Sequence, residues 1–135
     1  MKKRYKILIL ASIIICCLYI IISIWISISV NNILNSVVNS LGKDYTKYSD
    51  VISHEIYNQM NYIGNYSEES LLIVEEEHTY PVTIHWFIGG RVTYKYTCII
   101  QDSNGATHGS SDVLVELKVK LKGFKWEIVD YYEGP

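Results

Sequence analysis

The sequence predicts an α+β protein: an N-terminal transmembrane helix, then one or two helices packed on a curved antiparallel sheet of four to five strands. Three observations predict it. Residues 7–30 contain no charged side chain. Apolar residues then recur at helical spacing through residues 33–63. After Ser70 the period shortens to two, and stays there almost to the end of the chain. Helices first and strands afterwards is the order of an α+β domain whose helices cover one face of an antiparallel sheet.

Charge is divided unevenly. Lys2, Lys3, Arg4 and Lys6 precede the apolar run with no acid among them, and the remaining eight basic residues face all fourteen acids downstream of it. Net positive charge before the span and none soon after it predicts a cytoplasmic N-terminus (residues 1–6) and a domain outside the cell membrane. Ile7–Val30 is 24 residues, about 36 Å as a helix against a hydrocarbon core of about 30 Å, so it spans with tilt. A cleaved signal sequence is the competing reading. Ser27 and Ser29 form a small-x-small pair, but signal h-regions are shorter than this run, so an uncleaved anchor is expected.

Residues 31–43 continue as a juxtamembrane helical stalk, and 44–135 form the extracytoplasmic domain. In the stalk Ile33, Leu34, Val37, Val38 and Leu41 lie at helical spacing. Val30, Leu34, Val37 and Leu41 also have the 4-3-4 spacing of a short homodimer seam, but two heptads are few, and packing on the domain's own sheet is preferred. A second helix is predicted from Ser49 to Ile63, started near Ser49 or Asp50 and stopped at Gly64-Asn65.

Five strands follow. Leu71–His78 is the first. Val82–Ile88 is the second, with Val82, Ile84, Trp86 and Ile88 on one face, Thr83, His85 and Phe87 on the other, and Gly89-Gly90 as the hairpin turn. The third, Arg91–Gln101, turns Val92, Tyr94, Tyr96, Cys98 and Ile100 inward. A loop over 102–112 leads to the fourth, in which Val113, Val115, Leu117, Val119 and Leu121 face in. Gly123 marks a tight turn, and the fifth strand places Phe124, Trp126 and Ile128 on one side.

The last two strands carry a resemblance. Val113–Lys122, then Gly123, then Phe124-Lys-Trp126-Glu-Ile128-Val-Asp130-Tyr, resembles the close of cystatin-like and NTF2-like domains, in which N-terminal helices are cradled by a curved sheet. The resemblance covers about residues 44–133 and implies that Trp126 plugs the concave side. The chain is also similar to small membrane-tethered extracytoplasmic proteins of Gram-positive bacteria, some of which are scaffolds in conjugation or secretion machinery. Enzymes of the NTF2-like class carry Asp/His or Tyr/Asp pairs inside the cone, and no such pair is placed here.

Chemistry-bearing residues are scattered. His54, His78, His85 and His108 lack metal-site spacing and are expected to face solvent. Glu75-Glu76-Glu77 reads as a charged strand edge, Asp102-Ser-Asn104-Gly105 as a turn former, and lone Cys98 as a small core residue. Lys118, Lys120, Lys122 and Lys125 form a solubilising stripe. A net-acidic domain gives nucleic acid no basic surface. No cofactor, no metal and no enzymatic activity is expected. The expected function is a membrane-tethered interaction or assembly module of the envelope, contacting a protein partner through Phe87, Ile99, Val129 and Tyr131. The alternative is a ligand-binding domain or minor enzyme with an aromatic pocket lined by Trp86, Tyr94, Tyr96 and Trp126.

Overall fold

A computed structural model describes residues 2–40, 43–61 and 71–134. The predicted span and stalk are one uninterrupted helix, α1 (Lys2–Ser40), with no break at Val30. Within it Arg4–Asn39 is long and apolar enough to cross a membrane. A 3₁₀ turn (Tyr45–Lys47) follows, then a short helix, α2 (His54–Met60), capped by Ser53 Oγ, which accepts from the Ile56 amide. α2 is shorter than predicted, because Ser53 takes over as N-cap and the preceding backbone is drawn to the sheet. The Ile128 amide donates to the Val51 carbonyl at 2.7 Å, and Ile52 bridges Ile128. The predicted stop at Gly64-Asn65 lies outside the described residues.

The sheet is antiparallel: β1 (Leu71–His78), β2 (Val82–His85), β3 (Gly89–Asp102), β4 (Thr107–Lys122) and β5 (Lys125–Glu133). β1 and β2 both pair with β3, β1 along residues 96–102 and β2 along 90–93. They form one interrupted edge, broken at buried Pro81, which has no amide hydrogen for a ladder. Register shifts fall at Ile73/Glu75, Ile100/Gln101 and Lys118/Val119. Such bulges bend strands and increase twist.

One side of this sheet holds α1. Ile26, Val30, Ile33, Leu34 and Val37 of the helix are buried against Val92, Tyr94 and Tyr96 of β3, Val115, Leu117 and Val119 of β4, and Trp126 and Ile128 of β5. The helix stripe repeats at three and four residues while the strand residues alternate, so both elements present one continuous apolar surface. Tyr57 and Met60 of α2 complete the core. Val30, Leu34 and Val37, the residues of the possible homodimer seam, are thus used within the chain, and Leu41 lies outside the described residues.

Three local expectations are corrected. First, Gly89-Gly90 is not the turn but the start of β3; the turn is Trp86-Phe87-Ile88, closed by Trp86 N–H to Gly89 O (2.9 Å) and Ile88 N–H to Trp86 O (2.6 Å). Gly90 is needed for a different reason, since a Cβ there would lie 2.7 Å from the Ile84 carbonyl. Second, β2 is inverted relative to expectation: His85 is buried, while Val82, Ile84 and Trp86 are exposed. Third, Phe124 lies in the turn with Gly123 (φ +63°), between paired Lys122 and Lys125, and points to solvent. Glycine at the first central position is the type II′ pattern. The 102–112 loop is also shorter than predicted, because β4 already begins at Thr107.

Trp126→Ala is expected to cost about 3–5 kcal/mol, because a fully enclosed indole is lost from the centre of the core. Thermal unfolding of the full chain in detergent measures it, and near-wild-type stability would contradict this packing. Gly90→Ala should be destabilising by about 1–3 kcal/mol in the same assay, because the added methyl meets backbone rather than a flexible side chain.

Candidate functional site

The chain's most distinctive local structure is where α1 leaves the domain. His85, the last residue of β2, turns its ring onto Tyr19, with ring centroids 4.1 Å apart and planes 15° from parallel. Its Nδ1 accepts from the Phe87 amide at 3.2 Å, so Nε2 carries the hydrogen and donates to the Tyr19 carbonyl at 3.0 Å. Two turns further along the helix, Ser27 Oγ and Thr83 Oγ1 share a hydrogen bond of 2.7 Å. On the neighbouring side of the helix Trp25 meets Trp126 of β5 edge to face at 5.8 Å. Buried polar pairs and aromatic contacts together fix the helix against the β2–β3 hairpin. His85 and Ser27 are buried there, so the expectation of solvent-facing histidines fails for His85.

A groove of about 220 Å³ opens beside this junction, lined by Trp25, Ser29, Tyr48, Phe124, Lys125 and Trp126 among others. The Trp126 Nε1–H next to it has no hydrogen-bond partner among the described residues. This is not the predicted pocket. Trp86 is exposed at the hairpin tip, Tyr94 and Tyr96 are packed in the core against α1, and Trp126 borders this groove.

A second cluster lies toward the other end of the helix. Tyr96 Oη donates to Glu76 Oε1 at 2.6 Å, Cys98 stands opposite Glu76 in the register, and His78 Nε2 bonds Asn35 Oδ1 at 3.0 Å. Burial holds the Glu76 carboxyl above its ordinary range, against the opposing effects of the Tyr96 hydrogen bond and the nearby His78. Burial, and then the Glu76 hydrogen bond and charge, keep the Tyr96 phenol protonated far past its ordinary value. Burial and the Glu76 charge likewise push the Cys98 thiol up, the opposite of what a nucleophilic cysteine requires. This cluster orders the β1 edge over α1. Among the described residues no three His, Cys, Asp or Glu side chains converge as a metal site would require.

The other singled-out residues have structural partners. Asp102 Oδ1 accepts from the Asn104 and Ala106 amides, and its Oδ2 meets His108 Nε2 at 2.8 Å. The His108 bond, then the Ala106 amide, hold this carboxyl below its usual range, as a turn former's would be. The lysine stripe is largely neutralised: Lys118 pairs with Asp130 at 2.7 Å, Lys122 with Glu127 at 3.3 Å, and Lys125 with Asp50.

The four predicted partner contacts do not form one patch. Phe87 sits at the β2–β3 tip, and Ile99 lies half-buried on the outer side of β3. Val129 is exposed at the bulge, which reverses the phase of β5, so Tyr131 pairs across from buried Leu117 and packs on the core instead of facing out. What the sequence reading missed is the hairpin–helix junction. Its signal was polar residues within two uncharged stretches: Ser27 in the helix, and Thr83 and His85 in β2.

Comparisons with protein-family models, with curated proteins and with solved structures find no match.

His85→Phe keeps a ring against Tyr19 but removes both nitrogens, leaving the Phe87 amide without its acceptor. It is expected to cost about 1–3 kcal/mol and to speed amide hydrogen exchange across the β2–β3 hairpin. Exchange unchanged there would show that the junction does not hold the hairpin.

Glu76→Gln tests the second cluster. Glu76 binds its proton more tightly when folded, so its contribution is complete below its ordinary value and is lost as pH rises through the raised one. The amide still accepts from Tyr96. The variant should match wild type near pH 4 and exceed it at pH 7 by less than about 1 kcal/mol, the group being only half-buried.

Proposed function

We propose that this chain is a non-enzymatic, membrane-tethered module that presents its sheet to a protein partner at the outer side of the cell membrane. The observation that carries the reading is that one helix does two jobs. Residues 4–21 of α1 are exposed and apolar after Arg4 and Lys6, and from Ile22 onward the same helix enters the core. The tether is therefore part of the fold, with no flexible linker between anchor and domain. Removal of the segment up to Ser27 or Ser29 by a signal peptidase would strip Ile26 from the core and break the Ser27–Thr83 and Tyr19–His85 contacts, which favours an uncleaved anchor. The basic residues before the apolar stretch favour an N-terminus on the cytoplasmic side.

The element order and the concave sheet around a helix support the cystatin-like or NTF2-like reading of the fold. For the partner surface, the outer face offers Leu114 and Tyr132, both exposed, on neighbouring strands beyond the salt-bridged region, with Val129 exposed at the nearby bulge. Around them Arg91–Glu116 and Lys95–Asp112 pairs leave the face without strong net charge. Tethering raises the effective concentration for a partner in the same membrane, so a small contact suffices.

Photo-crosslinking amino acids placed at Leu114 and at Tyr132 of the intact anchored protein, in cells, should capture one abundant envelope protein, with the product lost on Tyr132→Glu when the crosslinker is at Leu114. Capture of the chain by itself alone, or no product, would rule out this partner surface.

A further inference from the structure

α1 is too short for the membrane if only its free part is counted. The apolar stretch that precedes the core, Ile7–Ile21, exposed throughout and touched at Tyr19 by His85, is about 22 Å long as a helix. A hydrocarbon core is about 30 Å thick, and tilt only widens the shortfall. About five more residues fill it, those from Ile22 to Ile26 by the 1.5 Å rise, and Ile24 and Trp25 among them are indeed exposed. That segment, however, is already flanked by the domain. The Tyr19–His85 stack places the end of β2 at this level of the helix, and Trp25 shares its groove with Phe124. Whatever surrounds Trp25 must also surround the end of the sheet.

That end is built from apolar side chains. The β2–β3 tip exposes Trp86 (60%), Phe87 and Ile88, and the β4–β5 tip exposes Phe124 (93%). The two tips lie side by side, joined by the Leu121 amide donating to the Ile88 carbonyl at 2.9 Å. From Thr79 to Gly90 the chain contains no Asp, Glu, Lys or Arg. Phe87 is held at φ +56°, a backbone conformation that a bulky residue rarely adopts, within a turn that carries it outward. Tyr19 and Trp25 lie about 9 Å apart along α1 and bracket the level at which the tips meet the helix; both are residue types enriched at membrane interfaces. Lys122 and Lys125 bracket Phe124, with stems long enough to keep their ammonium groups at the headgroups.

We infer that the two hairpin tips, through Trp86, Phe87, Ile88 and Phe124, enter the headgroup–acyl boundary of the bilayer that α1 crosses, so that lipid covers this end of the domain. The inference rests on the membrane-spanning reading of α1. It sets the domain's orientation: the β3–β4 turn points away from the membrane, and the outer sheet face stands steeply on it.

The test uses the full chain in vesicles of phosphatidylcholine and phosphatidylglycerol carrying bromine on the upper acyl chain. The difference in tryptophan emission between wild type and Trp86→Tyr isolates Trp86, and Phe124→Trp in the Trp86→Tyr background reports the second tip. Both signals should be blue-shifted, lose most of their intensity to bromolipid and resist aqueous iodide. Quenching by iodide without bromolipid quenching overturns the inference, as does protection from both quenchers, which would place a second copy or another protein on the tips. A carbonate wash separates the two levels. A chain that stays with the vesicles but shows Trp86 in water loses only this inference, whereas a chain that washes off loses the membrane span as well.

Discussion

A helix that is long and apolar enough to cross a membrane, and whose second half is packed in a protein core, places demands that the rest of this structure meets. In the membrane-spanning reading, backbone amides in hydrocarbon are paired within the helix, and α1 keeps that pairing without a break from Lys2 to Ser40. It therefore continues as a rigid rod into the domain, and the sheet folds around it. The buried stripe from Ile22 through Val37 sets which strand residues face in, and the polar contacts of Ser27 and Asn35 set where the two pieces of the interrupted edge, β2 and β1, lie along it. An autonomous domain on a flexible linker would need none of these contacts.

Much of this was legible in the sequence because it rests on periodicity. β1 has the bounds that its pattern implies, β3 differs by two residues or fewer at each end, and the inward sets Val92, Tyr94, Tyr96, Cys98 and Val115, Leu117, Val119 lie in the core as their alternation requires. Strict alternation over many residues leaves one solution, since a slip of one would expose the whole set. The inward placement of Trp126 follows from the same logic.

The failures occur where period two is interrupted by a local event that no pattern announces. Gly89-Gly90 has the composition of a tight turn, yet the glycines serve close strand approach, and the turn is formed one step earlier by three bulky residues. The β5 bulge at Val129 reverses the phase for Tyr131, and nothing in Val-Asp-Tyr marks it. β2 carries apolar residues at alternate positions and still exposes them. Its inward residue is His85, because the helix offers a carbonyl and a tyrosine ring at that point. Apolar side chains on the outer side of a strand conflict with burial in water, and that conflict was the information that the sequence alone could not interpret. It became readable only when α1 was seen to pass beside it.

The same consideration explains why the end of the membrane span was invisible in composition. Between Ile22 and Val30 the helix is apolar on all sides, which is the signature of a residue run buried throughout. Its surroundings are nevertheless of two kinds. Ile22, Ile26, Ser27 and Val30 face the sheet, Ile24 and Ile28 are exposed, and Trp25 lies between, exposed but edge to face with Trp126. Hydropathy registers the sum of the two and cannot separate protein from lipid, because both select the same side chains. The polar exceptions discriminate: Ser29 bonds the Trp25 carbonyl of its own helix, whereas Ser27 lies on the protein side and bonds Thr83. A boundary drawn at the end of the apolar run, Val30, thus falls about two helical turns inside the folded domain. The first side chains of α1 to meet a strand or the core are Tyr19 and Ile22, so the domain begins within the segment that hydropathy assigns to a candidate membrane span.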